Sequence, residues 1–408
     1  MMTNSVNKRL RTDHRGSFLK SQHSGTGKQT LKNENYEELL QQHMSWTAKQ
    51  GLILTGGGKA EELYTNERGY PFAKEECPHY HLLKGQTHQV FQTWKRSAPK
   101  ASLVTGVWNR TIFVGGWHNT TDKDEIVYNI QTHNLFVDLR IPRSRDFLLS
   151  KSSSARCLQD LGPLELKLYA RQHVFAGFSM FGRNGEGRPL CTRHHCVDWN
   201  FVGRPRNRPN KWFIEINPGN PNLWKEHSYA KDDHGQHYYW EQWERIPCKR
   251  SDISRLALRK SCTERRDGIL VAIGDHFNYV LTRTLNGNVK DYPEAESLVE
   301  IVDAAVSAGD LETARSYLST QGGHGRISNG RWRIDIAISP WEEGKQLWNY
   351  NKEVDIQLVG DSIDSCHILW KGERWDLYDC SFHSVQDLKC YLGVIDDDFY
   401  KRTSLSKL

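Results

Sequence analysis

The chain has 408 residues and a formal net charge of +6, and it combines only 37% hydrophobic residues with 14 Trp, 16 Tyr and 14 Phe. That length admits two or three domains, and no apolar run reaches the roughly 18–20 residues of a membrane-spanning helix. No concentrated basic stripe sits beside a nucleic-acid motif, so neither a membrane span nor a nucleic-acid partner is expected.

Residues 1–34 read as a disordered basic tail, because Lys, Arg, Ser, Asn and Gln dominate and large apolar residues are few. Arg9, Arg11, Arg15 and Lys20 among serines also match the composition of an organelle transit segment, but no amphipathic helix accompanies them. There is no secretory apolar stretch, and the nine cysteines are odd in number. Reduced thiols in a cytoplasmic protein follow as the expectation.

Residues 35–101 form an accessory segment with one predicted helix at 35–50, N-capped by Asn35 with Glu37 and Glu38 in the first turn. Thr55-Gly-Gly-Gly-Lys59 lacks the spacing of a phosphate loop and has Ala60 where the metal-binding hydroxyl belongs, so it reads as a turn. Cys77, His79 and His81 would point one way in an extended strand and could meet a metal. Pro78 argues against such a strand, and the three read as loop residues. No metal and no other cofactor is assigned.

From Leu103 onward the pattern changes to alternating runs separated by turn residues, as in an antiparallel meander or barrel. Candidate strands lie at 106–114, 127–141, 170–181, 190–202, 212–216 and 237–246. In the second of these Leu135, Val137, Leu139 and Ile141 alternate with Phe136, Asp138 and Arg140, and Pro142 ends the run. A second β run begins near Leu256, with strands at 268–274 and 277–284. Further candidates follow around Trp332–Ile338, Val354–Leu358, Ile368–Trp370 and Trp375–Tyr378. Between them Leu298, Val299, Val302 and Val306 recur at helical spacing after Pro293, and Asp310 caps a shorter helix.

The order of these segments resembles a known group. The Gly106-Val-Trp108 strand, the Gln131–Pro142 strand, Cys191–Asp198, Trp243-Glu-Arg-Ile246, Gly268–Gly274 and the Trp332…Gly344 stretch are similar to the lipocalin-like (calycin) tandem-barrel proteins of fungi and bacteria. That resemblance covers roughly 103–381. It implies a mainly β fold with two tandem lipocalin-like antiparallel barrels, and it implies no catalytic residues. The expected organisation is a barrel at 102–249, a second at 250–385 with a helical insertion at 293–319, and a tail at 386–408.

A small barrel of about eight strands is either filled by side chains or holds one small ligand. In the 190–202 strand Thr192, His194, Cys196, Asp198 and Asn200 share one face, and Cys191, Arg193, His195, Val197 and Trp199 the other. His194 as general acid/base, Asp198 as its orienting carboxylate and Cys196 as a nucleophile make one chemically coherent set. The alternative is a solvated polar face backed by His195 as a core histidine. Zinc on Cys191, His194, His195 and Cys196 is disfavoured, since alternation sends the pairs to opposite faces.

Asp138 and Arg140 are a surface ion pair if the aliphatic face lines the barrel; if the Phe136 face does, the buried pair must be satisfied by partners or a ligand, and Arg140 becomes an anchor for a carboxylate or phosphate. Trp108, Tyr239 and Trp243 are candidate ligand contacts, with core packing as the other role for such rings. The leading expectation is an intracellular binder of a small hydrophobic or amphipathic metabolite in the first barrel. The alternatives are a metal-free lyase, isomerase or hydratase using His194 and Asp198, and a protein-interaction module with filled barrels that meets partners through the basic loop at 204–211.

Overall fold

The computed structural model describes residues between 104 and 394, apart from short segments such as 146–154, 201–209, 261–266, 285–290 and 349–354. The basic tail, the helix expected at 35–50, the Thr55–Lys59 turn, the Cys77–His81 cluster and most of the basic loop at 204–211 lie outside the described residues. No described helix is long and apolar enough to cross a membrane.

The first sheet contains β1 (Gly106–Gly115), β2 (Asn119–Thr121), β3 (Glu125–Gln131), β4 (Leu135–Pro142), β5 (His173–Arg183), β6 (Pro189–Asp198), β7 (Asn210–Ile216), β8 (Leu223–Ser228) and β9 (Tyr239–Arg245). Neighbours pair in the order β2-β1-β3-β4-β5-β6-β7-β8-β9, and β9 returns to pair with β1 from Trp108↔Arg245 to Gly115↔Tyr239. The result is a closed antiparallel barrel of eight strands, with β2 a short flank on β1.

The second sheet contains β10 (Arg255–Lys260), β11 (Gly268–Ile273), β12 (His276–Leu281), β13 (Gln321–Ser328), β14 (Arg331–Ala337), β15 (Ile356–Val359), β16 (His367–Trp370) and β17 (Glu373–Cys380). Its order is β14-β13-β12-β11-β10-β17-β16-β15, and among the described residues its end strands β14 and β15 do not pair. It is therefore a curled half-barrel, not a closed one.

Among the described residues four helices accompany the sheets: α1 (Pro163–Tyr169), α2 (Leu298–Ser307), α3 (Leu311–Tyr317) and α4 (Val385–Leu392). The helical insertion begins at Leu298, later than residue 293, because the Ser297 hydroxyl accepts the Glu300 N–H and so sets the N-cap. Asp310 caps α3 through the Thr313 N–H, as its side-chain chemistry predicts. Helix α4 lies against the tryptophans of the half-barrel. The Trp332 and Trp348 indoles donate to the carbonyls of Tyr391 and Leu392 at 3.0 and 3.1 Å.

The two sheets share one core. Leu135, Val137, Leu139 and Ile141 of β4 cluster with Ile269, Val271 and Ile273 of β11 and Val280 of β12. Burying each such side chain contributes about 1.5–3 kcal/mol, so this contact is a large part of what holds the sheets together. Polar groups fix its register: Asn278 Nδ2 donates to the carbonyls of Tyr128 at 3.0 Å and Val137 at 2.9 Å.

Strands β2, β8 and β13 and helices α1 and α4 have no counterpart in the sequence-based assignment, and α4 occupies the start of the stretch expected as a tail from residue 386. Strand β13, Gln-Gly-Gly-His-Gly-Arg-Ile-Ser, reads as a loop by composition, yet its glycines answer to tight packing. A Cβ on Gly325 would collide with the Arg333 carbonyl and lie 2.5 Å from Phe277 Cζ. Gly325→Ala is expected to lower the unfolding free energy by about 1–3 kcal/mol, the usual range for overpacking. Urea denaturation with an unchanged m-value checks this.

Candidate functional site

Contacts between strands that are not neighbours show which side chains enter the barrel. Arg140 on β4 reaches Glu241 on β9, its Nη1 donating to Oε1 at 3.1 Å, and Arg110 Nη1 on β1 donates to the same oxygen at 3.2 Å. Arg140 Nε also donates to Asp138 Oδ1 at 2.8 Å, while Arg193 Nη1 on β6 reaches Asp138 Oδ2 at 3.5 Å. Arg110 is further bonded to Glu125 on β3. The Phe136–Asp138–Arg140 face of β4 therefore lines the lumen, and the aliphatic face points outward to the second sheet. The surface ion-pair reading of Asp138 and Arg140 does not hold, since both side chains are almost wholly buried.

Three guanidinium groups thus face three carboxylates inside the barrel. Burial opposes ionisation of Asp138, but Arg140, with Arg193 and Arg110 behind it, holds its carboxyl below the ordinary carboxylate value. Burial likewise opposes the charge on Arg140, and Asp138 and Glu241 more than offset it. Another lumenal carboxyl, Glu226 on β8, draws on Arg193 and Arg140 too weakly to stay ionised at neutral pH. Burial first, and the neighbouring Glu241 second, push it up to about 8. Its Oε1 accepts the Tyr239 hydroxyl at 2.8 Å, and Oε2 has no partner among the described residues.

Beside the charges stands a layer of tryptophans. Trp224 stacks on Trp212 and Trp243 at 5.5 and 5.8 Å and meets Trp108 edge-on at 5.8 Å. Arg193 lies over the Phe136 ring at 4.2 Å and over Trp212 at 5.2 Å, so its guanidinium joins the two layers. At the nearby end of the barrel Ser179 donates to Gln131 Oε1 at 2.6 Å, tying β5 to β3 across β4.

Several of these groups lack partners. The indole N–H of Trp108 donates to Val104, but those of Trp212, Trp224 and Trp243 have no acceptor among the described residues. Arg193 Nε and Nη2 and both amide atoms of Asn129 are likewise buried and unbonded. Each such group costs about 1–3 kcal/mol if left so. Such groups are few in native proteins, and a bound water, ion or ligand is the usual partner.

The polar strand β6 differs from simple alternation. Its pairing with β5 runs Phe175↔Asp198 and Ala176↔Val197, then skips to Gly177↔His195, which leaves Cys196 as an extra residue in a bulge. The bulge moves Asp198 onto the face of His195. His195 Nδ1 and Asp198 Oδ2 are 2.6 Å apart, the Asn200 N–H donates to Asp198 Oδ1 at 3.0 Å, and Phe175 stacks on the His195 ring at 4.6 Å. The register therefore puts His194 and Asp198 on opposite faces of β6, with Cys196 in the bulge between them. His194 takes the register position opposite Phe178, and Cys196 packs half-buried against the core between the sheets. Cys191 and His195 do share a face, without His194 or Cys196, which leaves no four-residue zinc set on this strand.

Of the residues expected at a ligand wall, Phe136, Asp138, Arg140, Trp108, Tyr239 and Trp243 all stand in the lumen and are buried. Arg110, Arg193, Glu226 and Glu241 were not singled out from sequence. Glu241 sits between Tyr239 and Trp243, and Glu226 two residues after Trp224. Alternation alone places both carboxyls on the same face as those rings.

No protein-family model matches this chain, and no curated protein does. A crystal structure of an uncharacterized protein from Saccharomyces cerevisiae aligns over 67% of this chain and 98% of its own at 13% identity, with a TM-score of 0.38. A likeness of that strength carries no argument about fold or function.

The protonated Glu226 makes stability depend on pH in a defined direction. The folded chain keeps this proton up to about pH 8, whereas an unfolded chain releases it near 4.5. Its stabilising effect is full below 4.5 and is lost as pH rises through 8. Glu226→Gln leaves the Tyr239 acceptor in place, so its melting temperature should gain on that of the native chain between pH 5 and about pH 8 and then level off. A difference that stays flat with pH rules out the protonated carboxyl.

Proposed function

We propose that the first barrel is a binding chamber for one small amphipathic molecule with an acceptor-rich head. The observation that carries this reading is the set of buried, unbonded donors on Arg193, Trp212, Trp224 and Trp243. A carboxylate, phosphate or carbonyl oxygen would accept from them, while the stacked indole faces would hold a flat apolar part. The guanidiniums of Arg110, Arg140 and Arg193 are already matched by Asp138, Glu125 and Glu241, and Asp198 is a further lumenal carboxyl, which supports a ligand bearing at most one anionic group. A purely hydrophobic ligand suits this wall less well, since it would leave every one of those donors unbonded.

The test is to incubate the purified protein with a lipophilic cell extract, wash it, and identify retained compounds by native mass spectrometry. One retained species per chain is expected. Arg193→Met should weaken it by about 10–100-fold, in line with loss of a charged hydrogen bond. A chain that retains nothing and whose lumen holds only water overturns the reading.

A second reading rests on the 2.6 Å contact between His195 and Asp198. A histidine oriented by a carboxylate at the lumen wall is suited to moving a proton to or from a bound molecule, as in a hydratase, lyase or isomerase. Once the retained compound is known, His195→Gln should abolish its turnover while leaving binding in place. Unchanged turnover removes the enzymatic reading and leaves the binding one intact.

A further inference from the structure

A second cluster lies outside the lumen, where the chain leaving β9 meets the β11–β12 hairpin of the half-barrel. Cys248 comes from the connecting segment, and Asp275 and His276 come from the hairpin. Their donor atoms all lie within 4.8 Å of one another. Asp275 and His276 are buried, and Cys248 is half-buried.

The hydrogen bonds behind this cluster decide which nitrogen of His276 bears hydrogen. Asn278 Nδ2 donates to two backbone carbonyls, those of Tyr128 and Val137, so Asn278 Oδ1 can only accept. His324 Nδ1, 2.8 Å from that oxygen, must carry a hydrogen, and its Nε2 then offers a lone pair. That lone pair lies 3.4 Å from His276 Nδ1, which is accordingly the donor. In the neutral ring His276 Nε2 is thereby left as a lone pair, 3.7 Å from Asp275 Oδ1. The Pro247 carbonyl also accepts from this ring, so in the neutral form its one hydrogen is shared between Pro247 and His324. Electron-pair donors thus converge from the imidazole and the carboxylate, with the Cys248 sulfur beside them.

A cation resolves that convergence. We propose that Cys248, Asp275 and His276 bind one divalent transition-metal ion of the zinc type. One sulfur, one nitrogen and one oxygen donor suit zinc better than calcium or magnesium, which take oxygen ligands. His324 and Asn278 act as the outer shell, fixing the ring orientation of His276 as carbonyl or carboxylate partners do at other histidine–metal sites. The Lys249 N–H also donates to Asp275 Oδ1 at 2.8 Å, and the Ile246 N–H to the Val107 carbonyl at 2.9 Å. The connecting segment is therefore already fastened to both sheets on either side of Cys248. A metal there ties the barrel to the half-barrel.

The test uses the full chain stripped with a chelator and titrated with Co2+, then with Zn2+ in competition. One equivalent of Co2+ should give a thiolate charge-transfer band in the near ultraviolet that Zn2+ abolishes. Cys248→Ser should remove the band, whereas Cys157→Ser, a half-buried thiol outside the cluster, should keep it. Zn2+ should raise the melting temperature of the native chain and not that of Cys248→Ser. His324→Gln should lower metal affinity by about 10–100-fold, as loss of an outer-shell partner does elsewhere. Absence of the band, its full retention in Cys248→Ser, or no zinc-dependent thermal shift overturns the proposal. Any of these would leave Cys248, Asp275 and His276 as a packing contact between the connecting segment and the hairpin.

Discussion

Strand β4 is buried on both faces, and most of the molecule's character follows from that. Its aliphatic side packs on β11 and β12 of the second sheet, where Leu135, Val137, Leu139 and Ile141 lose all contact with water. Because side chains alternate along a strand, the same contact drives Phe136, Asp138 and Arg140 into the barrel. A carboxylate and a guanidinium placed there cannot stay solvated, so further walls must supply partners. Glu241, Arg110, Arg193 and Glu125 do so. The hydrophobic union of the two sheets and the charged interior of the first barrel are two sides of one strand.

A charged interior is an expensive way to fill a barrel. Replacing a buried ion network by apolar residues of similar volume is often neutral or stabilising, so the network is not explained by stability alone. Its members are also incompletely satisfied among the described residues. In the half-barrel Trp332 and Trp348 find backbone acceptors on helix α4, whereas the indole N–H groups of Trp370 and Trp375 have none among the described residues. What sets the closed barrel apart is that its unbonded indole donors stand beside a buried ion network that itself carries unbonded guanidinium nitrogens.

Much of the fold was legible because the relevant signals are local. The alternation of 135–141 and 331–338 marked strands, and the Asp310 cap and the apolar spacing of 298–306 marked helices. The misses also have local causes. Strand β13 is glycine-rich because Arg333 and Phe277 press on it, and such glycines look like a loop until the neighbours are known. Strand β8 mixes Trp, Lys, Glu and His within six residues, so its inward set of Trp224, Glu226 and Ser228 does not contrast in polarity with its outward set. At β6 the bulge at Cys196 shifts the face of every residue beyond it. A one-residue slip of this kind separates His194 from Asp198 and joins His195 to it.

The amino-acid sequence by itself determined that β4 is a strand with one aliphatic and one charged face, since a period of two needs no partner to be read. It also determined which residue types the candidate site would contain. Tertiary structure alone decided which face turns inward, because that depends on whether another apolar surface exists to cover the aliphatic side. Strands β11 and β12, more than a hundred residues downstream, provide it. The same dependence on distant partners governs Arg140 and Glu241, and Cys248 and His276. Each pair is assembled by barrel closure or by the docking of one sheet on the other, and neither event leaves a mark in the local pattern.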